Sequence, residues 1–475
     1  MLAAYPDVMQ TDLFDTVPAI PAGLRQGLFS YSQPVAALSF TALLDQAPPG
    51  PRLFWESTPD EPALVGWGLA AELTAAGDQR FSQVSQQARR LFAELVRLAP
   101  EAPEWSGPRL LGGFAFQPGS GREAAWRAFP DARFILPRIQ FTRLGAQTWL
   151  TVNHLVAAPT PAQEIQAALA DSLAEAQHIL SACQDAWPLF GSNTTQPVEA
   201  GEELPYAAWR AMVANAVERI QAGEFEKVVL ARTLQVRLPA APQAGVLLEQ
   251  LGQRYPDCYR FLVEPEAGQV FLGATPELLV KVERQQFATT ALAGTARRGA
   301  TPESDRAAGQ ALLDSAKDRR EQAIVVEAIR QKLAPLAAAL EIPAAPGLRK
   351  LSNVQHLETP LRGRLAQGYS LLDLVAALHP TPALGGWPEP AARRYLEQAE
   401  PFERGWYAAP LGWLDSRGAG VFAVAIRSGL LAGRGARLFA GAGIVAGSDP
   451  EREWQETGLK FRPMLEALGG AARHG

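Results

Sequence analysis

Apolar residues recur at Phe81, Val84, Ala88, Leu91, Phe92 and Leu95, and this three-four spacing predicts an amphipathic helix over 81–98. A second helix is predicted over 161–184, opening after Thr160 as its N-cap and rich in Ala, Glu, Gln and Leu. A third is predicted over 206–221, with Trp209, Val213, Val217 and Ile220 on one face and Gly223 as its stop. The segment EKVVLARTLQV (226–236) is rich in β-formers and predicts a strand, with further strands at 270–272, 287–292, 421–428 and 437–440. A long helix over 301–333, stopped by Pro335, and a last one over 451–468, interrupted late by Pro463, complete the pattern. Helices and strands cluster instead of alternating as βαβ units, which predicts an α+β fold with antiparallel sheet. The polar, aperiodic stretch 188–205 (PLFGSNTTQPVEAGEELP) is the expected linker, separating a first part, 1–200, from a second, 204–468.

Composition narrows the function. The 475 residues are 47% hydrophobic and 20% charged, enough for a sizeable core and unlike a disordered chain. With 44 Lys plus Arg against 49 Asp plus Glu the net charge is −5, which argues against a general binder of nucleic acid or anionic membrane; an anion would have to be bound locally. Cys183 and Cys258 are far apart and form no CxxC pair, so zinc-ribbon and disulfide frameworks are excluded and a reducing compartment is expected. The opening MLAAYPDVMQTDLFD lacks a basic stretch followed by an apolar run, and a soluble cytoplasmic protein is expected. Five histidines with no close pair make a hard ion on carboxylates the expected metal, if there is one.

Several residues break the pattern around them. Lys227 shares a strand face with Val229 and Ala231, either as an edge lysine reaching water or as a desolvated amine able to act as a base. Glu277, in GATPELLV (273–280), suits the first turn of a helix or a buried proton donor. Glu321 lies on one face with Lys317, Ile324, Val325 and Ala328, as an i,i+4 salt bridge would. Glu453, Glu456 and Lys460 share a helix face, where two carboxylates repel unless a cation lies between them. Arg427 ends the apolar face of Val421, Ala423 and Ala425, a position for an internal ion pair or a bound anion. The glycine-rich turn AGAGIVAG (440–447) could present amides to an anion, but it is not GxGxxG, and a nucleotide-dependent oxidoreductase fits poorly.

Taken in order, ten blocks between 204 and 468 resemble the chorismate-utilising enzymes, the family of isochorismate, salicylate, anthranilate and aminodeoxychorismate synthases. They are FEKVVLAR (225–232), GATPELL (273–279), LAGTARRG (292–299), KDRREQ (317–322), VQHL (354–357), ALHPTPALGG (377–386), RGWYAAPLGW (404–413), VAIRS (424–428), AGAGIVAGSDP (440–450) and EWQET (453–457). LFWES (53–57) and GGFAF (112–116) look like the family's more variable N-terminal part.

The resemblance implies one large chorismate-binding unit with interleaved antiparallel sheets flanked by helices. It implies that Lys227 is the general base activating water for attack at ring carbon 2 of chorismate, and that Glu277 protonates the departing 4-hydroxyl. Glu321 and Glu456, with Glu453 beside them, correspond to Mg²⁺ ligands; His356 and Lys460 lie near the metal-bound ring carboxylate. Arg427, Tyr407 and the backbone at Gly443 correspond to the cradle for the enolpyruvyl carboxylate, while Gly294 and Thr295 line the ring. Lys227 points to water and away from anthranilate synthases, which usually carry Gln there and use ammonia, so no obligatory glutaminase subunit is expected. Ala293 disfavours the aminodeoxychorismate synthases, which commonly carry a lysine at that position. The implied activity is that of an isochorismate synthase of the menaquinone or phylloquinone pathway, with salicylate synthase or a non-catalytic chorismate-binding homologue as alternatives. Gln322, where a His is common, and Phe439, often Tyr, depart from the pattern.

Overall fold

A computed structural model describes residues 16–186, 198–202, 204–350 and 354–469. Two large sheets dominate it. Among the described residues one has 13 strands and the other 10, and nearly all neighbours are antiparallel. In the larger sheet, Arg52–Glu56 from the first part of the chain pairs with Tyr259–Glu266 from the second. In the smaller, Arg109–Phe114 pairs with Pro410–Asp415. Both sheets are therefore assembled from strands on either side of residue 200, the interleaved α+β arrangement expected.

Alternation along each strand sorts side chains between two cores. Leu53 and Trp55 enter the core between the sheets, together with Phe134, Phe261 and Phe422. Phe54, between them, points the other way into a second core, where Phe40, Ile165, Leu247 and Phe461 from helices cover the outer face of the larger sheet.

The structure corrects several sequence expectations. The helix expected over 81–98 spans Arg80–Ala93, and Leu95 belongs to the short strand Leu95–Arg97, drawn off by parallel pairing with Leu28. The helix expected over 301–333 is two helices, Pro302–Asp314 and Ala316–Leu333. Ser315 ends the first and caps the second, its hydroxyl accepting from the Asp318 amide. The strand expected over 421–428 is Gly420–Val424 and Ser428–Ala432, which lie in different sheets. Pro463 leaves the last helix, Pro450–Ala467, unbroken. The AGAGI portion of 440–447 is no turn: it lies in the strand Gly435–Ile444, because Lys227–Arg237 pairs along its whole length. Of the expected linker, Glu199–Glu202 forms an edge strand, while 187–197 and 203 lie outside the described residues, as do the first fifteen residues, on which the reading of the N-terminus rested.

Candidate active site

Two adjacent crossings of the chain from one sheet to the other each carry a charged side chain. Between Gln269–Thr275 and Leu278–Glu283 the crossing contains Glu277. Between Gly420–Val424 and Ser428–Ala432 it contains Arg427. The crossings are hydrogen-bonded together: the Val424 amide donates to Glu277 O at 3.0 Å and the Ala274 amide to Arg427 O at 3.2 Å. Glu277 is thus neither a helix start nor a strand residue, and Arg427 leaves the apolar strand face to which the sequence assigned it. Arg427 has φ 52°, a left-handed backbone that a non-glycine residue adopts only under local constraint, and such residues concentrate at functional sites.

Charge is concentrated here. Burial pushes the Glu277 carboxyl up to about 7, although Lys460, Arg427, Lys227 and Arg349 all favour its ionised form. Burial also lowers the pKa of the Arg427 guanidinium and of the Lys460 ammonium, the latter opposed by Glu456. Lys460, on the last helix, donates to Gly441 O at 2.7 Å and pairs with Glu456 at 2.7 Å.

Lys227 opens the strand Lys227–Arg237. Its stem lies against Gly443 of the neighbouring strand: a Cβ built at Gly443 would sit 3.0 Å from Lys227 Cε and 3.6 Å from Nζ. The Gly443→Ala substitution is therefore expected to displace the amine and lower turnover about tenfold, with little change in thermal stability, as steady-state assays and melting curves would show.

His356, on Val354–Leu365, faces Thr295 across the ladder, its Nδ1 lying 2.9 Å from Thr295 Oγ1 and 3.3 Å from Gly294 O. A carbonyl only accepts, so Nδ1 carries the proton in that contact. Burial first, then Arg349, Arg427 and Lys460, hold the imidazole pKa below its usual value against the opposing Gly294 contact. Gly294, at φ 67°, marks a register shift in Gln286–Arg297 and lies close to Asp318 of the helix Ala316–Leu333. Tyr407 is buried, stacks on Phe439 at 5.1 Å, and has its phenol pushed up to about 12 by burial. Phe439 thus serves the site by packing. Gln322 is buried and links helix to sheet, its amide donating to Ala291 O at 2.9 Å and Thr359 Oγ1 at 3.0 Å.

The carboxylates expected to hold Mg²⁺ are distributed unevenly. Glu453 and Glu456 stand one turn apart on the last helix, and burial, with Glu456 beside it, raises the Glu453 pKa. Glu321 is exposed on Ala316–Leu333, one turn beyond Asp318. Among the described residues no three of His, Cys, Asp or Glu form a ready metal cage. Mg²⁺ uses one or two protein carboxylates and fills its octahedron with water and substrate oxygen, so the carboxylates of Glu453 and Glu456, one turn apart, are of the chemical type that suits the ion. Arg349 is the charged neighbour the sequence reading missed. It lies on the short strand Gly347–Lys350, opposite His356, and no local pattern around it marked it.

Two sheets shared by both parts of the chain, with an acid and a cluster of cations where the chain crosses between them, define the architecture of an enzyme for a small anionic substrate. The chain belongs to the chorismate binding enzymes, whose family pattern matches residues 19–469. It is 44% identical over 419 residues to the salicylate biosynthesis isochorismate synthase of Pseudomonas aeruginosa, covering 88% of this chain and 85% of that protein. It is 36% identical over 454 residues to isochorismate synthase MenF of Bacillus subtilis, covering 94% of each. The solved structure of MenF, the menaquinone-specific isochorismate synthase from Escherichia coli, superposes with a TM-score of 0.76 at 25% identity, covering 96% of each chain.

Proposed function

We propose that the chain is an isochorismate synthase, converting chorismate to isochorismate. The observation that carries this reading is Glu277, a carboxyl held near 7 and electrostatically coupled to Lys227, the lysine expected to act as base. Lys227 takes a proton from water as the water oxygen bonds to ring carbon 2. The ring double bonds shift by one position each, and the C4–O bond breaks as Glu277 gives its proton to the departing hydroxyl. Arg427 and Tyr407, with the backbone at Gly443, receive the enolpyruvyl carboxylate, while Gly294, Thr295, His356 and Lys460 border the ring and its carboxylate. Glu453, Glu456 and Glu321 are the residues that would hold Mg²⁺, which when bound supplies positive charge to the ring carboxylate.

The nucleophile is water, so the reading requires no ammonia and no glutaminase subunit. It places the protein in the cytoplasm, with its product feeding menaquinone or phylloquinone synthesis. Among the described residues no helix is long and apolar enough to cross a membrane.

The test is to incubate the purified chain with chorismate and Mg²⁺ and resolve the products by chromatography. Isochorismate is expected, lost with EDTA and restored by Mg²⁺. Salicylate with pyruvate would reassign the chain as a salicylate synthase, and chorismate bound but unchanged would make it a non-catalytic binder.

A further inference from the structure

The strand carrying Lys227 has an outer edge completed by three different groups. The short strand Gly386–Trp387 pairs with Lys227 and Val228, and Glu199–Glu202 pairs with Leu234 through Arg237. Between them the edge is held by side chains. The Ala231 amide donates to Glu400 Oε1 at 2.8 Å, and Arg404 donates to Val229 O at 2.5 Å. The Val229 amide donates to Gly385 O at 3.1 Å. Arg404 also donates to Leu384 O at 3.0 Å and grips Glu400 two-pronged, at 2.7 and 2.6 Å. The pair is 5% and 4% exposed, and the Arg404 guanidinium lies 4.3 Å from the centre of the Phe116 ring.

We infer that Arg404 and Glu400 form a positioning pair for Lys227, standing in for a missing stretch of β-ladder and fixing the strand from which the base projects. This rests on the reading of Lys227 as the base. Buried backbone groups must be paired, and a planar guanidinium with a carboxylate supplies donors and an acceptor in fixed geometry. The bonds converge on the two ends that meet at Lys227. One end is Val229 and Ala231, two and four residues along its own strand. The other is Leu384, directly before Gly385 and the Gly386–Trp387 strand that pairs with Lys227. Gly386, at φ 135°, shows how closely these backbones approach, since a Cβ there would lie 2.3 Å from Lys227 O. A shift of the guanidinium would move both supports of the base together. Its effect on the reaction is therefore read through Lys227.

The test uses Arg404→Lys and Glu400→Gln, each alone and combined with Lys227→Ala, with steady-state kinetics on chorismate and thermal melting. Arg404→Lys keeps the charge but loses the fork, and is expected to lower kcat about tenfold to a hundredfold with KM changed by less than about threefold. Glu400→Gln keeps an oxygen for the Ala231 amide and is expected to lose less. Added to Lys227→Ala, either change should leave the residual rate nearly unaltered, since its effect passes through the lysine. Parent kcat in a folded Arg404→Lys variant, or the same fold-loss with and without Lys227, would overturn the inference. If Arg404→Lys fails to fold, Glu400→Gln decides on the same two criteria. Parent turnover in Lys227→Ala would instead sink the base assignment, so the two failures are distinguishable.

Discussion

Glu277→Gln should abolish most turnover and at the same time stabilise the protein above neutral pH. An amide cannot give its proton to the leaving hydroxyl, and losing a positioned acid costs about a hundredfold to ten-thousandfold in rate. The stability change follows from the shift of the carboxyl from 4.5 to about 7. Below pH 4.5 the group is protonated in both folded and unfolded chains and contributes no difference. Between 4.5 and 7 the unfolded chain ionises while the folded one keeps its proton, so ionisation pulls toward unfolding. Above 7 this destabilisation is complete, and a shift of that size corresponds to roughly 3 kcal/mol. The variant should therefore match the parent at about pH 4 and exceed it increasingly up to pH 7–8, as denaturant titrations across pH would show. In the parent, kcat/KM should decline as pH rises through about 7, because the free enzyme then loses the proton it must donate. A Glu277→Gln variant no more stable than the parent at pH 8 would mean that the neighbouring cations, and not burial, govern this carboxyl.

The surroundings of Glu277 explain why the residue could be singled out in the sequence while its position could not. GATPELL marked the residue, but Pro276 and an acidic side chain also suit the first turn of a helix, and local propensity favours that reading. What decides otherwise is distant: Leu278 pairs with Ala423, and Gly273 with Ser428, so the chain is extended on both sides of Glu277. The same holds for Arg427, whose strand reads as continuous until its two halves are found in different sheets. Periodicity located the helix Tyr206–Gln221, because its apolar face and its stop at Gly223 are local. It overran at Leu95, where a partner strand wins the residue, and at Ser315, where a cap resets the helix. Lys227, His356 and Tyr407 stood in the quoted blocks and Lys460 on the helix face of Glu456, and charged groups of the crossings act on or are acted on by all four. Arg349 and the Arg404–Glu400 pair owe their importance to contacts across the fold, and no sequence spacing encodes those. Glu321 was singled out from KDRREQ, and it stands exposed on Ala316–Leu333.

Lys227→Ala carries the other large effect, and its value lies in separating a base from a mere cation. Removing the amine is expected to lower kcat about a hundredfold to ten-thousandfold with the fold intact, since the side chain is only partly buried and its backbone ladder is unchanged. If Lys227 served only to attract the substrate dianion, Lys227→Arg would keep most of the activity, because a guanidinium carries the same charge but does not give up its proton. As a base, it must fail in that variant too. Truncation to Ala opens space beside Gly443, where the stem had lain 3.0 Å from a built Cβ, and a small primary amine supplied in solution can enter it. Added ethylamine should then restore part of the rate to Lys227→Ala and none to Lys227→Arg, where the space stays filled. The rescued product must still be isochorismate, and in ¹⁸O-labelled water its new ring hydroxyl must carry the label. Rescue accompanied by unlabelled product would mean that the hydroxyl migrates within the substrate, and a lysine that activates water would have no part in the reaction.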